Sequence, residues 1–216
     1  MKLNRLGIVL LFIYSLVGCK TSKIATEKSN SNAKWSSTQM NLIQSGAVDT
    51  PMRLYLLTNK ADSILLRTNS EKVIPNSKDA VLKNLTDRML TTVQDSMSMG
   101  VGIAAPQVGI LKRVILVQRF DKPDFPFEVY LNPTIRQYSK KTQPCMEGCL
   151  SIPDKRGETK NRSYAILLEY DTMEGDHIIE MVEDFTAVIF QHEIDHLNGI
   201  VFLDHLESES ETNSEN

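Results

Sequence analysis

Cysteine, histidine and net positive charge are all scarce in this sequence of 216 residues. Its three cysteines are too few for the disulfide framework of a small secreted domain, although with four histidines they suffice for one metal site. Lys and Arg number 24 against 27 Asp and Glu, so the chain lacks the basic excess that binds a phosphate backbone, and we expect no nucleic-acid partner. The hydrophobic content of 41% excludes a disordered or fibrous protein.

The first 18 residues have the pattern of a secretory signal. Two basic residues, Lys2 and Arg5, precede an apolar run over residues 6–17. This run is shorter than the roughly 20 residues that span a bilayer. The sequence Leu16-Val17-Gly18-Cys19 resembles the bacterial lipobox, in which Cys19 would carry the lipid and become the first residue after cleavage. We therefore predict a lipoprotein signal over residues 1–18. An uncleaved membrane anchor is the alternative.

Composition divides the rest of the chain into three parts. Residues 19–50 are crowded with Ser, Thr, Asn and Lys and have no sustained apolar period, which predicts a flexible tether. Residues 51–206 have the pattern of a globular domain. Residues 207–216 are acidic and polar, which predicts a disordered tail.

The globular part combines strands and helices in separate blocks. A helix is predicted from a cap at Asn76 or Ser77 to about Met99, and a second helix over Asp184–Leu197. A turn over Thr172–Asp176 predicts a hairpin. Strands followed by a helix, with no repeating βαβ unit, favour an α+β fold. The first helix is predicted from apolar residues spaced four apart, which are Val81, Leu85, Met89 and Val93. The strands are predicted from short β-branched runs, which are Arg113–Gln118, Glu128–Leu131, Ala165–Tyr170 and His177–Val182.

The most specific local motif is the HExxH of His192-Glu193-Ile194-Asp195-His196. On a helix, the two histidines lie on one face about 6 Å apart, so both can bind one metal while Glu193 reaches its water. Two ligands require a third. On the motif alone, two surface histidines remain the alternative.

Three segments resemble, in order and spacing, the signature motifs of the peptide deformylase family. They are GVGIAAPQVG at Gly100–Gly109, EGCLS at Glu147–Ser151 and QHEIDHLNG at Gln191–Gly199. The resemblance extends from about Met52 to Leu206, with SILLR at 63–67 similar to an early family segment. It implies antiparallel or mixed β-sheets packed around a central helix that carries the HExxH motif.

The resemblance also implies a ligand set of Cys149, His192 and His196. Three protein ligands with one open position are typical of a catalytic rather than a structural site. The donor set suits Zn²⁺, Fe²⁺, Co²⁺ or Ni²⁺. Family resemblance implies Fe²⁺ as the physiological metal and zinc as a common, less active occupant.

The implied reaction is removal of the formyl group from N-formylmethionyl peptides or nascent chains, with release of formate. Glu193 would accept a proton from the attacking water and pass it to the departing amine. The side-chain amide of Gln107 and the backbone N–H of Leu150 would stabilise the negative oxygen of the tetrahedral intermediate. The departure of Ile103 from the family's usual Leu keeps a similar apolar side chain.

Several residues are candidates for substrate binding. Gly100 and Gly102 lack a Cβ, so the backbone there can approach a peptide, which the family pairs with this edge as an added strand. Gly100 could equally just end a helix. Arg156 matches a family arginine near the substrate backbone, or is a solvated charge. One and two turns before His192 lie three side chains that would form a methionine pocket or plain core: Phe185, Val188 and Ile189.

Two other functions are compatible with the sequence. A zinc peptidase also fits HExxH, although its usual third ligand is His or Glu rather than a thiolate. A membrane-tethered lipoprotein could keep the fold and bind peptides with little turnover. We expect the protein to be a monomer.

The export signal conflicts with the family's usual task, because nascent chains are deformylated in the cytoplasm. One hypothesis is a lipoprotein anchored through Cys19 that faces the periplasm or exterior and processes exported formyl peptides. The alternative is a cytoplasmic enzyme translated from Met40 or Met52. Outside the cytoplasm, a disulfide between Cys149 and Cys145 would destroy the site.

Overall fold

The computed structural model describes residues 34–95 and 100–214, with side chains described up to residue 210. The predicted lipoprotein signal, Cys19 and Met99 lie outside these residues. Five α-helices are described: α1 Ser37–Ile43, α2 Lys60–Leu66, α3 Ala80–Gln94, α4 Asp184–Leu197 and α5 Phe202–Ser214. The seven described strands are β1 Gly102–Ala104, β2 Val114–Gln118, β3 Phe127–Tyr138, β4 Thr142–Cys149, β5 Ile152–Ser163, β6 Ala165–Asp171 and β7 His177–Glu183; a 3-10 helix spans Ala105–Val108.

The strands form two antiparallel sheets. The larger sheet has the order β1-β2-β3-β6-β7, and β4 pairs with β5 in a two-stranded sheet. This confirms the predicted α+β class in its antiparallel form. Because β1 is at one end of the larger sheet, one of its edges is not paired with another strand of that sheet.

Helices cover both faces of the larger sheet. Strand β2 shows the result, because its residues 114–117 are all buried. Val114 and Leu116 belong to the apolar cluster that contains the buried face of α3, whereas Ile115 and Val117 belong to the cluster that contains α4. A strand buried on both faces reads as a continuous apolar run rather than an alternating one. Helix α4, which carries the HExxH motif late in the chain, contacts strands of both sheets.

The predicted first helix is correct in its core face and wrong at its ends. Leu85, Met89 and Val93 are buried as expected. The cap, however, is Asp79, whose Oδ1 accepts hydrogen bonds from the backbone N–H groups of the second and third helical residues at 2.8 and 3.3 Å. A carboxylate at this position accepts hydrogen bonds from N–H groups that have no partner within the helix, so the helix begins after Asp79 rather than after Asn76 or Ser77. It ends at Gln94.

The two-stranded sheet was not predicted. Four predicted strands correspond to β2, β3, β6 and β7, although β3 is much longer than the segment predicted for it. Strands β4 and β5 carry exposed or half-exposed residues along most of their length and contain Pro and Gly. They lack the apolar alternation that identifies a strand in sequence.

The predicted tether is corrected over residues 34–50, which contain α1 and pack on α3. Ile43 is fully buried in the same cluster as α3. Trp35 donates from its indole nitrogen to Asp79 Oδ2 at 2.8 Å. Arg88, itself buried, donates to the carbonyls of Ile43 and Thr50 at 2.9 and 3.2 Å. The folded unit therefore begins before residue 51, because this segment supplies core contacts.

The predicted disordered tail is also corrected, because α5 continues to Ser214. Glu209 Oε1 accepts hydrogen bonds from the backbone N–H groups of Lys160 and Asn161 at 2.8 and 3.0 Å, which fixes α5 against β5. Among the described residues, no helix combines the length and apolar character needed to cross a membrane.

Candidate metal centre

The end of β4 and one face of α4 bring three metal-binding side chains together. Cys149 is the last residue of β4, and His192 and His196 lie one turn apart on α4. Their ligand atoms all lie within 4.8 Å of one another, and Cys149 Sγ is 3.2 Å from His196 Nε2. The geometry therefore presents one thiolate and two imidazoles to a common point, as a divalent metal requires.

The chemistry of these donors also fits a metal. Burial alone would raise the pKa of the Cys149 thiol, but the neighbouring imidazoles of His196 and His192 hold that pKa well below its usual range. A thiolate is the form of cysteine that binds metal. His192 is oriented through Nδ1, which lies 2.7 Å from Glu147 Oε2, so its Nε2 is left for a metal.

Glu147 is a buried junction between the candidate metal centre and β5. Its carboxylate accepts two hydrogen bonds from the Arg162 guanidinium, at 2.7 and 2.9 Å, and one from the Thr159 hydroxyl. Burial opposes ionisation of Glu147, but the hydrogen bonds from His192 and Arg162 outweigh it and lower the pKa of the carboxyl far below its usual range. The sequence analysis did not predict that Glu147 orients His192 or that Arg162 holds Glu147. Glu147 could have been suspected because it belongs to the EGCLS motif, but no motif or spacing in the sequence marks Arg162.

Arg162 extends this connection to α5. Its second amino group donates to Asp195 Oδ2 at 2.6 Å, and the same oxygen lies 2.9 Å from His205 Nε2. Arg162 is 3% exposed, so both carboxylates that pair with it are needed to compensate its burial. The metal-binding face of α4 is thus fixed relative to the two-stranded sheet by buried ion pairs.

Glu193 points towards the same region and is almost completely buried. Burial raises the pKa of its carboxyl to about 7. Its Oε2 accepts no hydrogen bond from the residues that the structure describes. A Cβ at Gly102 would lie 2.5 Å from Glu193 Oε1 and 2.9 Å from Ile189 Cγ2, so only glycine at this position of β1 lets the carboxylate lie there.

Gln107 is held with its amino group towards the centre. Its Oε1 accepts a hydrogen bond from the backbone N–H of Ala104 at 2.9 Å, which orients the amide. The amino group lies 3.6 Å from Cys149 Sγ and 3.4 Å from Ser151 Oγ. Leu150 follows Cys149 in the turn between β4 and β5 and lines the same cavity.

A cavity of about 700 Å³ opens beside the three candidate ligands. Val188 and Ile189 are nearly fully buried and also line the cavity, so they are both core and wall. Phe185 is 41% exposed at the mouth, and Arg156 is exposed on β5 opposite Gly148. The backbone N–H of Gly100 bonds to Val93 O at 3.0 Å. The structure brings all six predicted substrate-binding residues to this wall: Gly100, Gly102, Arg156, Phe185, Val188 and Ile189.

The disulfide considered between Cys145 and Cys149 does not fit the structure. Both cysteines are free and lie on the same strand, four residues apart. At about 3.3 Å per residue their Cα atoms are roughly 13 Å apart, whereas a disulfide requires less than about 7 Å. Cys145 therefore cannot bridge to Cys149 while β4 is intact.

Comparison with known proteins identifies a family model and close relatives. The model described as polypeptide deformylase matches residues 56–212. Peptide deformylase from Desulforudis audaxviator is 43% identical over 120 residues, covering 55% of this chain and 75% of the relative. Peptide deformylase 1 from Clostridium acetobutylicum is 41% identical over 149 residues, covering 69% of this chain and 92% of the relative.

Solved structures give the same result. A Met-Ala-Ser-bound class I type b peptide deformylase from Acinetobacter baumannii is 34% identical, with a TM-score of 0.62, covering 73% of this chain and 99% of that chain. Peptide deformylase from Thermotoga maritima is 30% identical, with a TM-score of 0.62, and covers 72% of this chain and 97% of that chain.

Proposed function

The chain belongs to the peptide deformylase family, and from this premise we propose that it hydrolyses the formamide bond of N-formylmethionyl peptides to release formate. The observation that carries the proposal is the convergence of Cys149, His192 and His196 beside a buried carboxylate, at one wall of a peptide-sized cavity. A thiolate in the ligand set disfavours the zinc peptidase alternative.

In this proposal α4 is the metal-binding helix of the fold. A divalent metal held by Cys149, His192 and His196 would supply a Lewis acid that polarises the formyl carbonyl and acidifies the attacking water. We assign Fe²⁺ as the physiological metal, with Zn²⁺, Co²⁺ or Ni²⁺ as possible occupants of the same ligands. Metal analysis of protein purified without oxygen tests the assignment.

Glu193 performs the proton transfers. Its carboxylate accepts a proton from the water that attacks the formyl carbon, and it then delivers that proton to the departing amine nitrogen. The C–N bond breaks, and the products are formate and a free amino terminus. Glu193 suits both transfers because it is buried beside the ligands and its Oε2 accepts no hydrogen bond from the described residues, which leaves that oxygen available to a proton.

Two donors stabilise the developing negative charge on the carbonyl oxygen. The Gln107 amino group is already oriented by the bond between its own Oε1 and Ala104, so little reorganisation is needed during the reaction. We assign the second donor to the backbone N–H of Leu150. Because Gln107 is 1% exposed, its hydrogen bond acts where water does not compete.

The substrate backbone lies along the free edge of β1 in this proposal. The close packing of Glu193 against Gly102 brings the general base directly beside that edge. Val188 and Ile189 supply an apolar wall for the methionine side chain, and Arg156 contacts the peptide backbone from β5. Peptide recognition by strand addition follows the same pattern in other folds.

We further propose that the enzyme is a lipoprotein anchored through Cys19, facing the periplasm or exterior and acting on exported formyl peptides. Support for the anchor comes from the signal-like pattern of residues 1–18. The contacts of residues 34–50 argue against a start at Met52. Translation from Met52 would remove Ile43 from the core and leave buried Arg88 without its carbonyl partners. Mass spectrometry of the native protein tests the proposal, since an acylated Cys19 at the N-terminus excludes an internal start for that pool.

A formate-release assay on the full chain separates the candidate functions. The metal-loaded protein should release formate from formyl-Met-Ala-Ser, and Glu193→Ala should abolish turnover while the metal is retained. Peptide-bond cleavage without formate would support a peptidase. Tight peptide binding with no product would support a tethered binding protein.

A further inference from the structure

Strand β7 is the outer strand of the larger sheet, at the end opposite β1. In the described part of the chain it pairs with β6 and with no second strand. Two large apolar side chains lie on its outward face, since Ile179 is 47% exposed and Met181 is 61% exposed. Soluble proteins usually place Lys, Pro or other charged residues at a free strand edge, which prevents pairing with another chain. The middle of β7 instead presents the residues that favour such pairing.

The backbone groups of the odd-numbered residues of β7 point away from β6. Beyond the two ends of the β6–β7 pair, Thr172 N–H donates to Asp176 O and Asp184 N–H donates to Tyr164 O, both at 2.8 Å. The register between these two bonds is unbroken. Hydrogen-bonded and non-hydrogen-bonded pairs alternate in an antiparallel ladder, so the even-numbered residues of β7 bond to β6. The N–H and C=O groups of the odd-numbered residues are therefore directed to the position of another strand.

The sequence of β7 is complementary to itself in an antiparallel pair of two copies. If Glu180 lies opposite Glu180 of the second copy, Ile179 lies opposite Met181, and Ile178 lies opposite Val182. Residues that lie opposite each other in antiparallel strands point to the same face of the sheet, so the two exposed apolar side chains cover each other. The two-fold axis repeats this contact. In the same register Ile179 and Met181 form a hydrogen-bonded pair, which uses their outward N–H and C=O groups.

The charged residues of β7 fit the same register. Glu180 faces its own copy across the axis, but each Glu180 carboxylate already accepts hydrogen bonds from Arg119 at 2.9 and 3.3 Å, which compensates the like charges. At each end of the paired segment, basic His177 comes opposite the exposed Glu183. A register shifted by two residues would instead place Glu183 opposite Ile179. Charge and apolar contact therefore favour one alignment.

We propose that two copies of the chain associate through β7 into an antiparallel, two-fold symmetric dimer with Glu180 at the axis. The two five-stranded sheets then join edge to edge into one continuous sheet. This dimer replaces the monomer expected from the sequence, in which no pattern marks β7 as an outer strand. Because β1 borders the cavity and lies at the opposite end of the sheet, both cavities stay open in the dimer.

The β7 dimer is a weak one. One strand from each copy gives an interface smaller than the roughly 1,200 Å² of a stable complex, so we expect a dissociation constant of about 10–100 μM. Sedimentation equilibrium of the full chain at concentrations above and below this range measures it. The wild type should fit a monomer–dimer equilibrium.

Met181→Lys should raise the dissociation constant by about tenfold or more, because Lys at a strand edge opposes pairing and the symmetric interface contains the change twice. Ile64→Lys is the matched control. Ile64 is 64% exposed on α2, far from β7 in sequence, and its substitution should leave the dissociation constant unchanged.

Disulfide cross-linking tests the register. A mixture of Ile179→Cys and Met181→Cys should give a linked dimer, because the Cα atoms of a hydrogen-bonded pair are about 5.5 Å apart. Either variant alone should give only the background of the wild type, which has three cysteines. In that case the two introduced thiols are diagonal neighbours, with Cα atoms about 7–8 Å apart, too far for a disulfide.

Four results would overturn the β7 dimer. They are a wild-type chain that stays monomeric throughout the concentration range, equal weakening by both lysine variants, association that survives Met181→Lys, and cross-linking of Ile179→Cys with itself as efficient as with Met181→Cys. The third result is the one expected if residues 1–18 drive the association instead. All of these measurements read mass or cross-linking, so they do not depend on whether the protein releases formate.

Discussion

The imidazole of His192 is fixed by Glu147, whose Oε2 lies 2.7 Å from His192 Nδ1, and the same carboxylate is held by Arg162. A histidine that donates one ring N–H to a carboxylate has its tautomer and ring orientation set for metal binding by the other nitrogen. This relationship connects the folding of the two-stranded sheet to the chemistry at α4. It also predicts where substitutions will act without touching the metal.

Glu147→Gln should weaken metal affinity by about 10- to 100-fold, because a neutral amide orients His192 less firmly. It should also lower thermal stability, since Arg162 loses a charged partner while buried. Chelator competition measures the affinity. Glu158→Gln, an exposed change on β5, is the control and should bind metal as the wild type does. Equal affinity in both variants would show that Glu147 does not position the ligand.

Gly102→Ala should reduce kcat by about 100-fold, because the added Cβ would displace Glu193, and misplacement of a catalytic group by about 1 Å has an effect of this size. Steady-state formate release measures the loss, with metal content as a check on the ligands. Gly148→Ala is the comparison, since its Cβ would come no closer than 3.5 Å to Arg156. Similar losses in the two variants would argue against a specific contact with Glu193.

Deletion of residues 1–51 should lower the free energy of unfolding by about 4 kcal/mol or more. The deletion removes the buried Ile43 side chain, worth about 2 kcal/mol, and the carbonyl partners of buried Arg88, worth about 1 kcal/mol or more each. Urea unfolding measures the change. Deletion of residues 1–33 alone keeps these contacts and should unfold at nearly the wild-type urea concentration. Equal stability of the two deletions would contradict the packing of α1.

Removal of the metal by a chelator should lower the melting temperature, because a ligand that binds only the folded chain stabilises it by mass action. Re-addition of Fe²⁺ without oxygen, or of Zn²⁺, should restore the melting temperature. In Cys149→Ser the metal-dependent part of the melting temperature should be greatly reduced. If neither the chelator nor the added metal changed the melting temperature, metal binding at Cys149, His192 and His196 would be contradicted.

Much of the fold could be predicted from local sequence patterns. Strand β2 is a continuous apolar run because both of its faces are buried, and α4 shows helical spacing because one face packs on the sheet. Strands β4 and β5 have no such pattern, because they pair mainly with each other and expose most of their side chains. Helix α1 was not predicted because Ile43 is the one buried residue of an otherwise polar helix, and a single apolar position sets no period in the sequence.

The metal-ligand set of the candidate site could be predicted from the sequence, but the residues that hold it in place and its geometry could not. The HExxH spacing places two histidines on one helix face, but only the order of the three motifs suggested Cys149 as their partner. The contacts of Glu147 with Arg162, and of Gly102 with Glu193, join residues that are distant in sequence. No local pattern marks such pairs, because they depend on how β4, β5 and β1 pack around α4.

Formate release by the metal-loaded full chain is the most direct test of the central claim. With formyl-Met-Ala-Ser as substrate, we predict one formate and one free amino terminus per peptide consumed, and no turnover by Glu193→Ala with its metal retained. Absence of formate from wild-type protein that carries one metal ion per chain would contradict the account.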